Sequence, residues 1–228
     1  LSHQTGMPVS ELDADPSQWG DWEGIIETME QQPLTDEPGS TAAYHTTTYG
    51  WLVGELVRRI TGTPIDEYAR EHVFEPLGLD HTSIGVRDGS PESVADVSGF
   101  EVFDRCADPE EGLVDLTPES AAQLGNSPGV LQAVVPAANG ISTARDLGTF
   151  FAAMANGGAL DGTRLLEPET VEAATELQTE TAADGTLARP MRYAMGYWRG
   201  GTASDMFGTL SSPETFGHVG LGSVVAWV

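Results

Sequence analysis

The spacing of apolar residues changes once along this chain, and that change limits the folds open to it. Through the first four fifths, apolar residues recur every three or four positions. Trp22, Ile25, Ile26 and Met29 do so over 19–32. Leu52, Val53, Leu56, Val57 and Ile60 do so between Thr48 and Gly62, and Leu147, Phe150, Phe151 and Met154 on the way to Gly157. These spacings predict helices. Past residue 190 the pattern is aromatic and glycine-containing, and Ser223-Val224-Val225-Ala226-Trp227-Val228 reads as a buried strand. Helices are therefore expected over 1–180 and sheet strands over 190–228, within one domain.

Local punctuation sharpens these elements. Pro33 stops the first helix, and Asp36-Glu37-Pro38-Gly39-Ser40 is turn chemistry leading into Tyr44. Thr63-Pro64-Ile65-Asp66 predicts another helix, with threonine as cap and proline at the first position, running to about Phe74 before Pro76. Residues 88–136 carry Gly and Pro throughout and read as loops around a cleft. Thr143 is a natural cap with Asp146 as its partner, Asp161-Gly162 is a turn, and Glu167 to about Gln178 is a further short helix.

Composition narrows the function. With 228 residues and 39% hydrophobic content the chain can bury a sizeable core, as one domain or as a large part of a bigger one. No apolar run approaches the ~18 residues of a membrane span and no charged-then-apolar leader precedes the first helix, so a soluble protein is expected, with the cytoplasm as default compartment. Thirty-five acidic against ten basic residues give a net charge of −25, which repels phosphate backbones and excludes nucleic acid as a partner. The acids are spread along the chain, as expected of a solvated surface adapted to high salt; a cationic partner is the other explanation. Cys106 has no internal disulfide partner and no His or Lys neighbour in sequence to activate it. His3, His45, His72 and His81 show no metal-ligand spacing, so no metal is expected. Nothing in the sequence bears on oligomeric state.

Two segments carry candidate chemistry. Tyr44 lies between a Pro-Gly turn and the N-terminus of a strongly periodic helix, where a phenol can be held in a cleft beside the positive helix end. The alternative is an ordinary half-buried aromatic. In Gly217-His218-Val219-Gly220-Leu221-Gly222, glycines beside a strand permit close approach of a ligand, and the imidazole could hold a carboxylate or share a proton relay. Alternatively this is a Gly-rich turn with a satisfied histidine. As a phosphate loop it fails, because no helix follows and no lysine is present.

Six segments stand in an order that resembles the β-lactamase-related serine hydrolases, which include class C β-lactamases, penicillin-binding carboxypeptidases and carboxylesterases. They are Ser2-His3-Gln4-Thr5-Gly6-Met7-Pro8, Tyr44-His45-Thr46 with its Tyr49-Gly50-Trp51-Leu52 helix, Glu75-Pro76-Leu77-Gly78-Leu79, Asn139-Gly140-Ile141-Ser142-Thr143-Ala144, Leu165-Leu166-Glu167-Pro168-Glu169-Thr170, and Phe216-Gly217-His218-Val219-Gly220. The resemblance covers nearly the whole chain and is nearest to the esterase-like branch, in which a histidine replaces the lysine of Lys-Thr-Gly.

The resemblance implies an α/β fold, a helical region packed on an antiparallel sheet with the cleft between them. It also implies hydrolysis of a small-molecule ester or amide through an acyl-serine intermediate, without a cofactor. Tyr44 matches the tyrosine of Tyr-x-Asn, a general base. His218 and Gly220 match the first and third positions of Lys-Thr-Gly, and the backbone N–H of Leu221 matches half of the oxyanion hole. Thr46 stands where the family has Asn, among the substrate-binding positions, which shifts weight from lactams toward esters. The nucleophile motif Ser-x-x-Lys has no counterpart, because the 228 residues contain no lysine. The chain is therefore expected to be a partial domain whose nucleophile lies before Leu1. A catalytically silent binding protein of the same fold is the alternative.

Overall fold

The computed structural model describes residues 1–7, 16–86, 93–98, 118–201, 207–220 and 224–228. Helix α1 (Trp22–Gln31) begins where the Asp21 side chain accepts the Gly24 N–H, so Trp19 precedes the helix instead of opening it. Helix α2 (Thr48–Thr61) ends at Gly62, whose φ of 78° closes the last turn, with Arg58 and Arg59 at its negative end.

The buried face of α2 is not the face its apolar stripe marks. Trp51 is fully buried with Gly50, Gly54 and Glu55, whereas Leu56 is 57% and Ile60 74% exposed. Small size decides the packing. A Cβ on Gly54 would lie 2.7 Å from the Trp22 ring, and one on Gly50 2.5 Å from the Ala137 nitrogen, so both glycines let neighbouring segments approach the helix backbone. Glu55 tolerates burial because Trp22 Nε1 (2.9 Å), Arg58 Nε (2.7 Å) and Arg59 Nε (2.7 Å) donate to its carboxylate. Trp19, Ile25, Ile26, Met29 and Trp51 then form one core with Val130, Ala133 and Val135.

The next helix departs from expectation at both ends. It starts as α3 (Ile65–Ala69) with Pro64 at the cap position, and Thr63 caps nothing; its N–H is held by Thr61 Oγ1 instead. It passes through a π-helical stretch, Arg70–Phe74, and continues as α4 (Glu75–Leu77) past Pro76 to Gly78. Pro76 fits because it sits in the first turn of α4. Strand β1 (Ser83–Ile84) follows.

The span read as loops contains two short helices, α5 (Pro118–Gly125) and α6 (Pro128–Gln132), each opening on a proline, which the first helical turn accepts. Asn139 then knits the chain after α6, donating to Val130 (2.8 Å) and Ala133 (2.5 Å) carbonyls and accepting from Val135. Strand β2 (Gly140–Ile141) pairs antiparallel with β1. Helix α7 (Ala144–Ala155) starts as expected: Thr143 Oγ1 accepts the Asp146 N–H (3.1 Å), and Asp146 also takes His81 N–H (2.9 Å) and Thr82 Oγ1 (3.0 Å).

Strands β3 (Ala159–Leu160) and β4 (Thr163–Arg164) form a hairpin whose turn residues Asp161 and Gly162 both have positive φ, as such turns require. Helix α8 (Pro168–Thr175) is shorter than expected, because the Gln178 N–H already bonds the Tyr193 carbonyl as the chain joins the sheet.

That sheet starts at Thr179. It is an antiparallel meander of β5 (Thr179–Thr181), β6 (Met191–Tyr193), β7 (Trp198–Arg199), β8 (Phe216–Gly220) and β9 (Val224–Trp227), neighbours in space as in sequence. Where a buried strand was expected, Trp227 is half exposed and Val228 40% exposed, and β9 is paired to β8 at the end of the strand order among the described residues. Phe216 packs with Met154 of α7 and Val171 of α8, joining the helical region to the sheet. Cys106 lies outside the described residues.

Candidate active site

Tyr44 sits on a short extended segment tied to two distant parts of the chain. The Tyr44 N–H donates to Asp184 Oδ1 (3.1 Å), and the Gly185 N–H donates to the Ala42 carbonyl (2.9 Å). On either side of Tyr44, Ala43 N–H donates to the His3 carbonyl (2.9 Å) and His45 N–H to His3 Nδ1 (3.1 Å).

Asp184 lies in the β5–β6 loop and is 2% exposed. Its Oδ1 also accepts from the Thr186 and Leu187 N–H groups at 2.9 Å, and its Oδ2 accepts the Tyr193 hydroxyl at 2.9 Å. A buried carboxylate is tolerable when its lone pairs are occupied this fully. Burial, and then the Asp184 charge, push the Tyr193 phenol well above its ordinary pKa, so it remains a donor.

From the other side comes His218 on β8. Its Nδ1 lies 2.9 Å from the Val219 carbonyl oxygen. A carbonyl only accepts, so Nδ1 carries the hydrogen; in the neutral ring this leaves the Nε2 lone pair for a donor. The Tyr44 hydroxyl faces it, 3.5 Å away, at the outer limit of hydrogen-bonding distance. Burial lowers the His218 pKa, against a smaller opposing effect of the Val219 carbonyl, and so favours the neutral imidazole. Trp198 closes the back of the pair, 4.9 Å from the His218 ring and edge-on to Tyr44 at 5.5 Å. Tyr193 stacks against Tyr44 at 6.4 Å.

The structure thus brings Tyr44 and His218 together across 174 positions. Thr46 is half-buried just before α2, Gly220 is exposed at the end of β8, and Leu221 lies outside the described residues. His3, Asp184, Tyr193 and Trp198 were not singled out from sequence as site residues. The Asp184-Gly185 dipeptide marks a turn, but no local signal shows that its carboxylate reaches Tyr44. Among the described residues no cluster of three His, Cys, Asp or Glu side chains could hold a metal ion.

Chemically, the pair is a phenol hydrogen-bonded to a neutral imidazole, able to pass a proton between them. Tyr44 precedes α2 and His218 lies on β8. The beta-lactamase family model covers residues 1–228. The chain belongs to the beta-lactamase family. It is 33% identical over 216 residues to the esterase/beta-lactamase LipL of Mycobacterium tuberculosis, covering 87% of this chain and 48% of that protein. A penicillin-binding protein homologue from Caulobacter crescentus superposes with a TM-score of 0.74 at 30% identity, over 99% of this chain and 60% of its own. A family VIII carboxylesterase superposes with a TM-score of 0.81 at 26% identity, over 99% and 59%. The fold is therefore β-lactamase/transpeptidase-like, helices on an antiparallel sheet. This family member spans about half the length of the curated relatives it matches.

Proposed function

We propose that these residues form the base-side wall of a serine hydrolase active site that cleaves a small-molecule ester or amide through an acyl-serine intermediate. The observation that carries this reading is the Tyr44 hydroxyl directed at the Nε2 lone pair of a neutral His218. No Ser-x-x-Lys occurs in the 228 residues, so the nucleophile of this reaction comes from outside them.

A serine hydroxyl needs a base to be nucleophilic at neutral pH. As the serine oxygen bonds to the substrate carbonyl carbon, its proton passes to Tyr44 Oη and the Tyr44 proton passes to His218 Nε2. The imidazolium so formed is held by the Val219 carbonyl at Nδ1. When the tetrahedral intermediate collapses, the relay runs backward and the proton leaves on the alcohol or amine; water repeats the cycle to release the acid. The Leu221 N–H and the nucleophile's own N–H are the oxyanion donors of this reading, with Thr46 and Gly220 lining the substrate.

Esters are favoured over carboxylate-bearing lactams. Both His218 nitrogens are committed, to Val219 and to Tyr44, so His218 offers no positive charge to a substrate carboxylate. The similarity to a family VIII carboxylesterase supports the same preference. The net charge of −25 supports a protein adapted to high salt.

The test compares the full-length protein with its nucleophile, Tyr44→Phe and His218→Ala variants on p-nitrophenyl acetate and nitrocefin. Tyr44→Phe is expected to lose about 100-fold or more of kcat on the ester, the size of a general-base contribution. A full-length protein no better than its nucleophile variant on every ester and lactam would replace this reading with a ligand-binding protein of the same fold.

A further inference from the structure

Two of the three consecutive backbone donors around Tyr44 end on one residue. His3 accepts the Ala43 N–H at its carbonyl (2.9 Å) and the His45 N–H at its Nδ1 (3.1 Å), while Asp184 takes the Tyr44 N–H between them. The His3 ring packs among aromatic side chains, with its centroid 4.8 Å from Tyr44, 4.7 Å from Tyr193 and 5.1 Å from Tyr49. It is 6% exposed, and its backbone has φ 58°, a left-handed conformation that few non-glycine residues adopt.

A residue held in a disfavoured conformation with its ring buried among aromatics is placed there by specific contacts. Only a neutral imidazole has a lone pair at Nδ1 for the His45 N–H. Burial, and then the neighbouring His45 and His218, lower the His3 pKa to about 3, so the neutral form is the one present. The ring of His45 is held separately, by Thr5 and Thr48 hydroxyls at 2.9 Å each, while its backbone N–H donates to His3 Nδ1.

We propose that His3 is a positioning residue for the hydrolytic reaction, its Nδ1 and carbonyl oxygen fixing the backbone on both sides of Tyr44 and so aiming the Tyr44 hydroxyl at His218 Nε2. This rests on the hydrolase reading of the Tyr44–His218 pair. In this reading His3 acts through Tyr44. Displacing a catalytic group by about 1 Å costs up to about 100-fold in rate, so loss of this clamp acts on kcat more than on KM.

Two substitutions separate the side chain from the backbone, because both asparagine and glycine accept φ 58°. Asparagine puts a carbonyl oxygen near the place of Nδ1; glycine removes the acceptor. In the full-length protein, His3→Asn is expected to keep kcat for p-nitrophenyl acetate within about threefold. His3→Gly is expected to lose about 10- to 100-fold with KM changed less than about threefold. Hydrogen exchange at the His45 amide, read on the same folded proteins, should stay protected in His3→Asn and accelerate in His3→Gly. Wild-type kcat in His3→Gly, or equal kcat losses in both variants with cooperative unfolding retained, would overturn the proposal. If the full-length protein matches its nucleophile variant in every assay, the hydrolase reading fails separately. The amide exchange still decides whether His3 holds the Tyr44 segment: acceleration in His3→Gly alone supports the clamp, and unchanged exchange refutes it.

Discussion

Replacing Asp184 should unfasten the sheet-side anchor of Tyr44. In Asp184→Ala, the Tyr44, Thr186 and Leu187 N–H groups and the Tyr193 hydroxyl all lose their acceptor in a site that is 2% exposed. Each buried donor left without a partner costs about 1–3 kcal/mol, and the four share one carboxylate, so their costs do not simply add. We expect about 3–5 kcal/mol in total, near the upper end of single substitutions. Asp184→Asn keeps an oxygen for the three N–H groups and loses the charge, and its amide must turn Tyr193 from donor to acceptor. About 1–2 kcal/mol is expected there. Guanidinium unfolding of the full-length protein measures both, and hydrogen exchange at the Tyr44 amide reports the anchor itself. Asp184→Ala costing less than about 1 kcal/mol, or as little as Asp184→Asn, would refute the account of this carboxylate as a shared acceptor.

Glu55 supplies an acid-sensitive contribution. Its hydrogen bonds from Arg58, outweighing burial and reinforced by Trp22 and Arg59, lower its pKa from 4.5 to about 2. The folded pKa is depressed, so this stability is complete above about pH 4.5 and is lost as pH falls toward 2; it amounts to about 1–3 kcal/mol, since part of each arginine reaches solvent. Glu55→Gln should flatten that part of the stability–pH curve, and an unchanged slope between pH 5 and 2 would contradict the assignment. Gly50→Ala should cost about 1–3 kcal/mol by forcing α2 off the Ala137 backbone 2.5 Å from the new Cβ, and a neutral substitution in a denaturation assay would show that this approach is slack. With a net charge of −25, the melting temperature should rise from dilute buffer to molar KCl as the Debye length shrinks from about 10 Å to about 3 Å; a flat or falling trend would argue against salt adaptation.

Local chemistry alone set several parts of this protein. The span of α2 between Thr48 and Gly62, the Thr143 cap with Asp146, and the Asp161-Gly162 hairpin turn were legible because each depends on residues within about one helical turn or one hairpin of each other. The order of motifs likewise marked Tyr44 and His218 as candidates. Where local pattern and packing competed, packing prevailed. The apolar stripe of α2 does not mark its buried face, because Gly50 and Gly54 admit Ala137 and Trp22 to the other side and Glu55 is neutralised there. Pro76 did not end its helix, because a π-helical stretch brought it into a first turn. The site itself was decided by tertiary structure. Tyr44 meets His218 across 174 positions, its N–H meets Asp184 across 140, and His45 N–H meets His3 across 42. No periodicity encodes such pairs. A hydrogen bond needs its donor and acceptor placed within a few tenths of an ångström, and between segments so far apart that placement exists only once the sheet has closed against the helices.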